Sequence, residues 1–423
     1  MALSYKKFLS NYLVFFIVIP LVLLAFILSR VNEILVGLKD IYLCSGLLIT
    51  DFIAVGGIGA TLINVTLIII FNYVLIKCLK ISFNGAIFAG VFTMVGFAFF
   101  GKTLINTIPL FLGVYLYSLY SKVEFKNYII VALFSTGIGP LISFIMFGVG
   151  LELYFSIPLG IFVGIVVGFF IQVLSLNALR LHRGYNLYNI GFTLGIIAMI
   201  FTAIFRVLNI SLNANILINN SYHWHLFSMF LIVSIFLIVS AFILDKAVIK
   251  KYPKLLKRTG RLVTDFVKET SLSVAILNMG LMGIFALSLT LILQININGA
   301  IVAGIMTMLG FASFGKHLYN TLFVILGAIL ASFIFNTLPK DNITVAIGIF
   351  FVSALAPITG QYGIIAGIIA GFMHMLVLPM AMDFQGGFDL FNNGFAAGFV
   401  ASIVVPIFEN FSLKGEQNAK AGV

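Results

Sequence analysis

The sequence predicts an all-α integral membrane protein of about 14 membrane segments in two inverted-topology repeats. Three observations carry that prediction: a composition too apolar for water, runs long enough to span lipid, and a duplication with an odd number of spans per copy. Of 423 residues, 62% are hydrophobic and only 9% charged, whereas a soluble domain carries about 25% charged residues. The apolar excess needs lipid as its solvent. Runs such as 8–29, 57–76, 155–178 and 226–244 match the roughly 20 apolar residues that cross the hydrocarbon core as a helix. They are apolar on every side rather than alternating, which excludes a β-barrel.

In chain order the expected spans are 8–29, 57–76, 84–101, 104–121, 128–148, 155–178, 188–208, 223–244, 270–291, 298–315, 318–336, 343–360, 363–382 and 389–408. The first follows Lys6 and Lys7, as a signal peptide would, but it runs through Ala25–Ser29 into Arg30 without a small-x-small cleavage site. It is expected to be retained. The third and fourth spans are short and meet at Gly101-Lys102; the tenth and eleventh meet likewise at Gly315-Lys316. One of each pair is either a full span or a half-helix that dips in and returns. Irregular backbone at depth is tolerated only where protein or a water-filled cavity covers it.

A shift of 214 residues lays 48–118 on 262–332 without a gap. N-G-A-I-F-A-G-V-F-T-M-V-G-F-A-F-F-G-K (84–102) falls on N-G-A-I-V-A-G-I-M-T-M-L-G-F-A-S-F-G-K (298–316). At a shift of 203, G-Y-N-L-Y-N-I-G-F-T-L-G (184–195) meets G-F-D-L-F-N-N-G-F-A-A-G (387–398). A period of about 200 residues marks a doubled transporter-type fold rather than a solenoid. The first repeat takes 1–210 and the second 215–410, with a basic linker at 245–269 and a polar tail at 411–423.

Seven spans per copy make the second copy enter the membrane from the opposite side. With the N-terminus inside, only Arg30, Lys39, Lys102, Arg206 and Lys340 of the 24 Lys and Arg fall outside, the bias that orients membrane helices. Equivalent loops also change character: R-L-H-R (180–183) becomes D-F-Q-G (383–386), and K-C-L-K (77–80) becomes L-I-L-Q (291–294). The expected location is the cell membrane with both termini cytoplasmic. The net charge of +11 is then loop charge, which argues against a nucleic-acid partner. The linker is expected to lie on anionic headgroups, where each basic residue contributes about 1 kcal/mol. The tail is expected to be mobile.

Polar groups inside the membrane are the informative ones, because lipid penalises them. The doubled motif G-F-A-x-F-G-K-x-L-x-N-T sets Lys102 with Asn106, and Lys316 with Asn320, four residues apart on one face of a new helix. Gly96, Gly101, Gly310 and Gly315 permit a tight break before it. A helix start with a lysine beside it suits an anion or a carbonyl-bearing solute; the alternative is a lysine snorkelling to the headgroups. Lys102 is expected to face outward and Lys316 inward. The G-x-N-L-Y-N-x-G-F pattern presents Asn186, Asn189, Asp389, Asn392 and Asn393 at loop-to-helix junctions, as solute-binding amides or as caps. Asn84 and Asn298 are read in the same way. Asp51 and Asp265 follow threonine at the start of apolar runs, as caps or as coupling-ion or proton sites. Gly160, Gly164 and Gly168, matched by Gly363, Gly367 and Gly371, form ridges for close helix packing. His223 and His225 flank Trp224 at an interface. Cys44 and Cys78 make neither a disulfide framework nor a metal spacing. No cofactor, metal or nucleophile motif appears, so enzymatic function is not expected.

The repeated G-F-A-x-F-G-K and G-[YF]-[ND]-L-[YF]-N-x-G-F motifs, with V-T-D-F after the basic linker, resemble a bacterial multi-span family catalogued as domain of unknown function 1576. The resemblance covers essentially the whole chain and implies no site, since that family has no established activity. The architecture is also similar to that of urea channels, with inverted halves and Gly- and Asn-bearing helix breaks, but a clear copy of their threonine-bearing half-helix is missing. The expected function is transport of a small polar or anionic solute by alternating access. A passive solute channel and a membrane-embedded assembly or signalling protein are the alternatives. The expected partners are a small solute and the lipid bilayer, with self-association left open.

Overall fold

The computed structural model describes residues 17–212 and 216–421; Lys6, Lys7, the beginning of the expected first span and the last two residues of the tail lie outside them. Among the described residues the regular structure is helical, with isolated bridges Thr50–Leu217 and Asp51–Phe100 in place of strands.

The first copy comprises α1 (Ile17–Leu28), α2 (Val31–Leu43), α3 (Phe52–Cys78), α4 (Gly85–Phe97), α5 (Leu104–Ser121), α6 (Ile129–Ser135), α7 (Gly139–Phe147), α8 (Leu153–Leu181) and α9 (Asn189–Val207). The second comprises α10 (His223–Leu244), α11 (Val248–Leu256), α12 (Phe266–Glu269), α13 (Leu272–Ile292), α14 (Gly299–Phe311), α15 (Leu318–Ile334), α16 (Ile343–Phe351), α17 (Ala356–Tyr362), α18 (Ile364–Gln385) and α19 (Asn392–Ala421).

Ten helical segments among the described residues are long and apolar enough to cross a membrane, with α6–α7 and α16–α17 each counted as one. The count rises to eleven if α1 and α2, which meet at 109°, make one broken span. The chain is therefore a multi-pass membrane protein. Each of the fourteen expected segments is represented by apolar helix, but α4, α14 and α15 are too short to be counted as spans. What shortens α4 and α14 is the turn after Phe97 and Phe311: the backbone N–H of Lys102 donates to Phe97 O (3.1 Å), and that of Lys316 to Phe311 O (3.1 Å). Gly101 takes φ 83° in that turn, a conformation that glycine supplies at least cost.

Two other spans are broken by proline. A 3-10 turn at Thr136–Ile138 separates α6 from α7, and another at Val352–Leu355 separates α16 from α17. Pro140 and Pro357 follow these turns. Each lacks a donor, and its ring clashes with the carbonyl four residues earlier, which is that of Thr136 or Ser353.

The copies touch through reciprocal contacts. A Cβ on Gly96 would lie 3.1 Å from Ala303 Cα, and one on Gly310 would lie 3.1 Å from Ala89 Cα, so α4 packs antiparallel to α14. The Leu48 N–H donates to Gly387 O, and the Leu262 N–H to Gly184 O, both at 3.0 Å. The Leu187 N–H meets Ala354 O at 3.0 Å, and the Leu390 N–H meets Gly137 O at 2.9 Å. In each of these pairs, equivalent residues of the two copies exchange roles.

The glycine ridges pack closely except at Gly363, which faces open space: a Cβ at Gly168 would overlap the Leu110 carbonyl of α5, and one at Gly371 the Val324 carbonyl of α15. The linker is folded. Its helix α11 buries Val248 and Leu255 beneath a row of lysines. Beyond α11, the Arg261 guanidinium lies 4.5 Å from the Tyr185 ring and donates to Arg183 O. The tail, expected to be mobile, continues α19 as helix to Ala421.

Candidate functional site

Both motif lysines are buried, Lys102 at 1% exposure and Lys316 at 0%. That corrects the expectation that they face opposite surfaces, and it removes headgroup snorkelling. The cause is the short helix before each one. Chain that stops partway through a bundle leaves the next residues among other helices, here at the broken centres of α6–α7 and α16–α17. The Lys102 ammonium donates to the Thr136 hydroxyl. The Lys316 ammonium donates to the Ser353 hydroxyl (2.7 Å) and to the Tyr188 hydroxyl. The ion pairs found among the described residues all involve other cations, so neither lysine has a carboxylate partner there.

Six aromatic rings form one cluster that both lysines touch. Phe97, Phe134 and Tyr188 come from the first copy, and their equivalents Phe311, Phe351 and Phe391 from the second. Phe97 stacks 6.1 Å from Phe351, and Phe134 lies 5.4 Å from Phe311. Tyr188 meets its own equivalent Phe391 at 5.5 Å. Lys102 Nζ lies 5.5 Å from the Phe97 ring, and Lys316 Nζ lies 4.4 Å from Tyr188 and 5.0 Å from Phe311. Ring faces carry negative quadrupole density, so they favour a nearby cation without neutralising it.

Asn106 and Asn320 are committed to the break. Asn106 donates to Gly101 O (3.0 Å) and Ser143 Oγ (2.9 Å) while accepting from the Thr103 N–H; Asn320 donates to Gly315 O (2.9 Å) and accepts from the His317 N–H. Two further asparagines hold the same breaks and were not singled out from the sequence. Asn64 on α3 donates to Ala98 O and Lys102 O at 2.8 and 2.9 Å, and Asn278 on α13 donates to Ala312 O and Lys316 O, both at 2.7 Å. Their signal was available: they are equivalent under the 214-residue shift, and each is an amide within a mostly apolar span. Thr136 and Ser353 gave no such signal, because they are offset by 217 residues and fall outside both gapless blocks.

The remaining candidates lie apart from the lysines' polar contacts. Asn84 caps α4 through the Ile87 N–H (3.0 Å), and Asn298 caps α14 through the Ile301 N–H (3.2 Å). Asp51 caps α3 and also accepts from the Asn219 N–H (3.1 Å). Asp265 caps α12 and accepts from the Gly85 N–H of the other copy (3.0 Å). Both aspartates thus fasten one copy to the other or to the inter-copy chain. Asn189 bonds His182 (2.9 Å) and Ser175 O (3.1 Å), whereas Asn392 accepts from Asn393 and lines a cavity of about 10 Å³, room for one water. A wider cleft of about 740 Å³, lined by Arg206, Asn209, Asp383, Gly386 and Gly387 among others, shares Leu48 and Met382 with that cavity. No three His, Cys, Asp or Glu side chains among the described residues are grouped to hold a metal.

No curated protein and no solved structure matches the chain. One family does, described as protein of unknown function (DUF1576), over residues 30–207 and 244–410. Those two blocks cover both copies and all four helix breaks around the lysines, and the chain belongs to that family.

Proposed function

We propose that the chain is a cell-membrane transporter that moves a small polar or anionic solute by alternating access between two inverted repeats. The observation that carries this reading is the pair of fully buried lysines, on duplicated helix breaks, with hydroxyls and ring faces around them but no carboxylate. Burying an uncompensated ammonium is costly, so a negative or strongly polar solute would gain at either position. The aromatic cluster that both lysines touch would act as the barrier that alternates. The inverted arrangement is supported by the antiparallel packing of α4 and α14. A two-fold axis that relates antiparallel spans runs across them, hence in the plane of the membrane, and gives two near-equivalent states facing opposite sides. Of the fourteen membrane segments, α4 with α5 and α14 with α15 then dip in and return as hairpins, which leaves an even number of crossings and both termini cytoplasmic.

The test begins with the purified protein and a panel of inorganic anions, small carboxylates and neutral polar solutes such as urea. A true ligand stabilises the fold by mass action, by about 2.7 kcal/mol at a hundredfold excess over Kd, and so raises the melting temperature. Hits are then assayed in proteoliposomes for counterflow, which a carrier supports and a passive channel does not. Lys102→Gln and Lys316→Gln should weaken both stabilisation and flux. If both variants keep every hit and unchanged flux, the lysine site is wrong. A membrane assembly protein would give no hit at all.

A further inference from the structure

The two copies differ in a buried polar group where the second carries Asp389. Its equivalent in the first copy is Asn186, and the inner oxygens of the two do the same work: Asn186 Oδ1 accepts from the Tyr188 N–H (2.9 Å), and Asp389 Oδ1 from the Phe391 N–H (2.8 Å). The outer atoms differ. Asn186 Nδ2 donates across the two-fold to Gly394 O at 2.8 Å. The acceptor equivalent to the Gly394 carbonyl is that of Gly191, 203 residues earlier, and Asp389 Oδ2 has no hydrogen-bond partner although the residue is fully buried. Two acceptor oxygens cannot bond to each other, and an ionised carboxylate here would be an unpaired buried charge. A proton on Oδ2 resolves both difficulties at once, because the carboxyl then donates to Gly191 as the amide donates to Gly394.

The surroundings fit. The ionisable groups on the elements packed about this loop are His374 and Asp383 on α18, His182 in the α8–α9 loop, Arg206 in the last turn of α9, Tyr188, and Lys102 at the neighbouring break. None forms an ion pair with Asp389 among the described residues. His374 Nδ1, Asn393 Oδ1 and both polar atoms of Gln385 are also buried without partners. In the first copy, Ile171 stands where the second has His374, and Ile190 where it has Asn393. At these two positions the second copy is polar where the first is apolar, whereas Gln385 corresponds to His182, which is bonded to Asn189. The cleft that ends at Gly386 and Gly387 opens two residues from Asp389.

We propose that Asp389 is a proton-binding site, protonated in this conformation and exchanging its proton through the Gly386–Gly387 cleft. Resting on the transport reading, this makes the proton the coupling ion.

The test uses full-length protein as wild type, Asp389→Asn and Asn186→Asp. Infrared spectra should contain a protonated-carboxyl band that Asp389→Asn removes and Asn186→Asp augments. The sign of the pH effect follows from proton counts: the folded state holds a proton that an unfolded aspartate releases above about pH 3.9. Wild-type stability should therefore fall as pH rises through neutrality, by about tenfold in the unfolding constant per pH unit. Asp389→Asn should lack that component and Asn186→Asp should double it. Asp389 ionised at neutral pH, or equal pH slopes in all three proteins, would overturn the proposal. Stabilisation of the wild type by sodium chloride over potassium chloride at fixed pH, lost in Asp389→Asn, would replace the proton with a metal cation and overturn it too. In proteoliposomes, a pH gradient should drive accumulation of a hit solute by wild type only, with counterflow kept in Asp389→Asn. If the infrared and pH results hold while no solute moves, the proton site stands and the transport reading fails.

Discussion

The ammonium of Lys316 donates to the hydroxyl of Tyr188, which lies 128 positions earlier and in the other copy. Lys102 has no such bond across the axis, because the residue equivalent to Tyr188 is Phe391. One hydroxyl therefore makes the two lysine sites unequal and ties one copy to the other at the centre of the molecule.

Replacing that tyrosine separates the bond from the ring. In Tyr188→Phe the ring packing against Phe311 and Phe391 is kept and the hydrogen bond to Lys316 is lost, a change of about 0.5–1.5 kcal/mol. Thermal unfolding should show a loss of that size, and any lysine-dependent ligand stabilisation should become more alike at the two sites. An unchanged midpoint would mean that the hydroxyl contributes nothing.

The break before each lysine should depend on its bracing asparagine. Asn64→Leu removes the donor to two buried carbonyls, and Asn278→Leu does the same in the other copy. Each orphaned carbonyl costs about 1–3 kcal/mol. Either variant should be among the most destabilising single changes in the protein, as read from unfolding midpoints, and the two should be similar because the geometry is repeated.

The ridge glycines predict a steric effect. Gly168→Ala and Gly371→Ala each press a methyl into a carbonyl of the adjoining helix, and overpacking of this kind costs about 1–3 kcal/mol. Gly363, at φ 85° with no atom near its open side, should lose stability through backbone strain instead. Thermal midpoints for Gly363→Ala and Gly363→Asn then distinguish the two causes, since asparagine tolerates positive φ better than alanine.

Membrane orientation can be read by labelling. In a background with Cys44→Ser and Cys78→Ser, Arg183→Cys and Asp383→Cys place thiols at two exposed, equivalent loops. An impermeant reagent applied to intact cells should modify Asp383→Cys and spare Arg183→Cys. Modification of both from one side would remove the inverted arrangement.

Much of the architecture was legible in the residues, because lipid and duplication both leave marks in linear order. Apolar runs of spanning length gave the helices, and the 214-residue shift paired Lys102 with Lys316, Asn106 with Asn320 and Asp51 with Asp265. Each of those aspartates proved to be a cap with a bond beyond its own helix. Local order could not say how deep the lysines lie. That depends on where a helix stops relative to its neighbours, so snorkelling and burial read alike until α4 and α14 ended partway. Nor could it reveal the roles of Thr136 and Ser353, ordinary hydroxyls until a proline break turned them toward a lysine. Residue order alone establishes a membrane protein made of two related halves and the identity of the repeated polar residues. Which polar atoms meet and which remain unpaired is settled by folding, because hydrogen bonding is satisfied between residues distant in the chain. The difference between Asn186 and Asp389 is a single letter in the alignment, and it became a statement about a proton only once the Gly394 carbonyl stood opposite the amide.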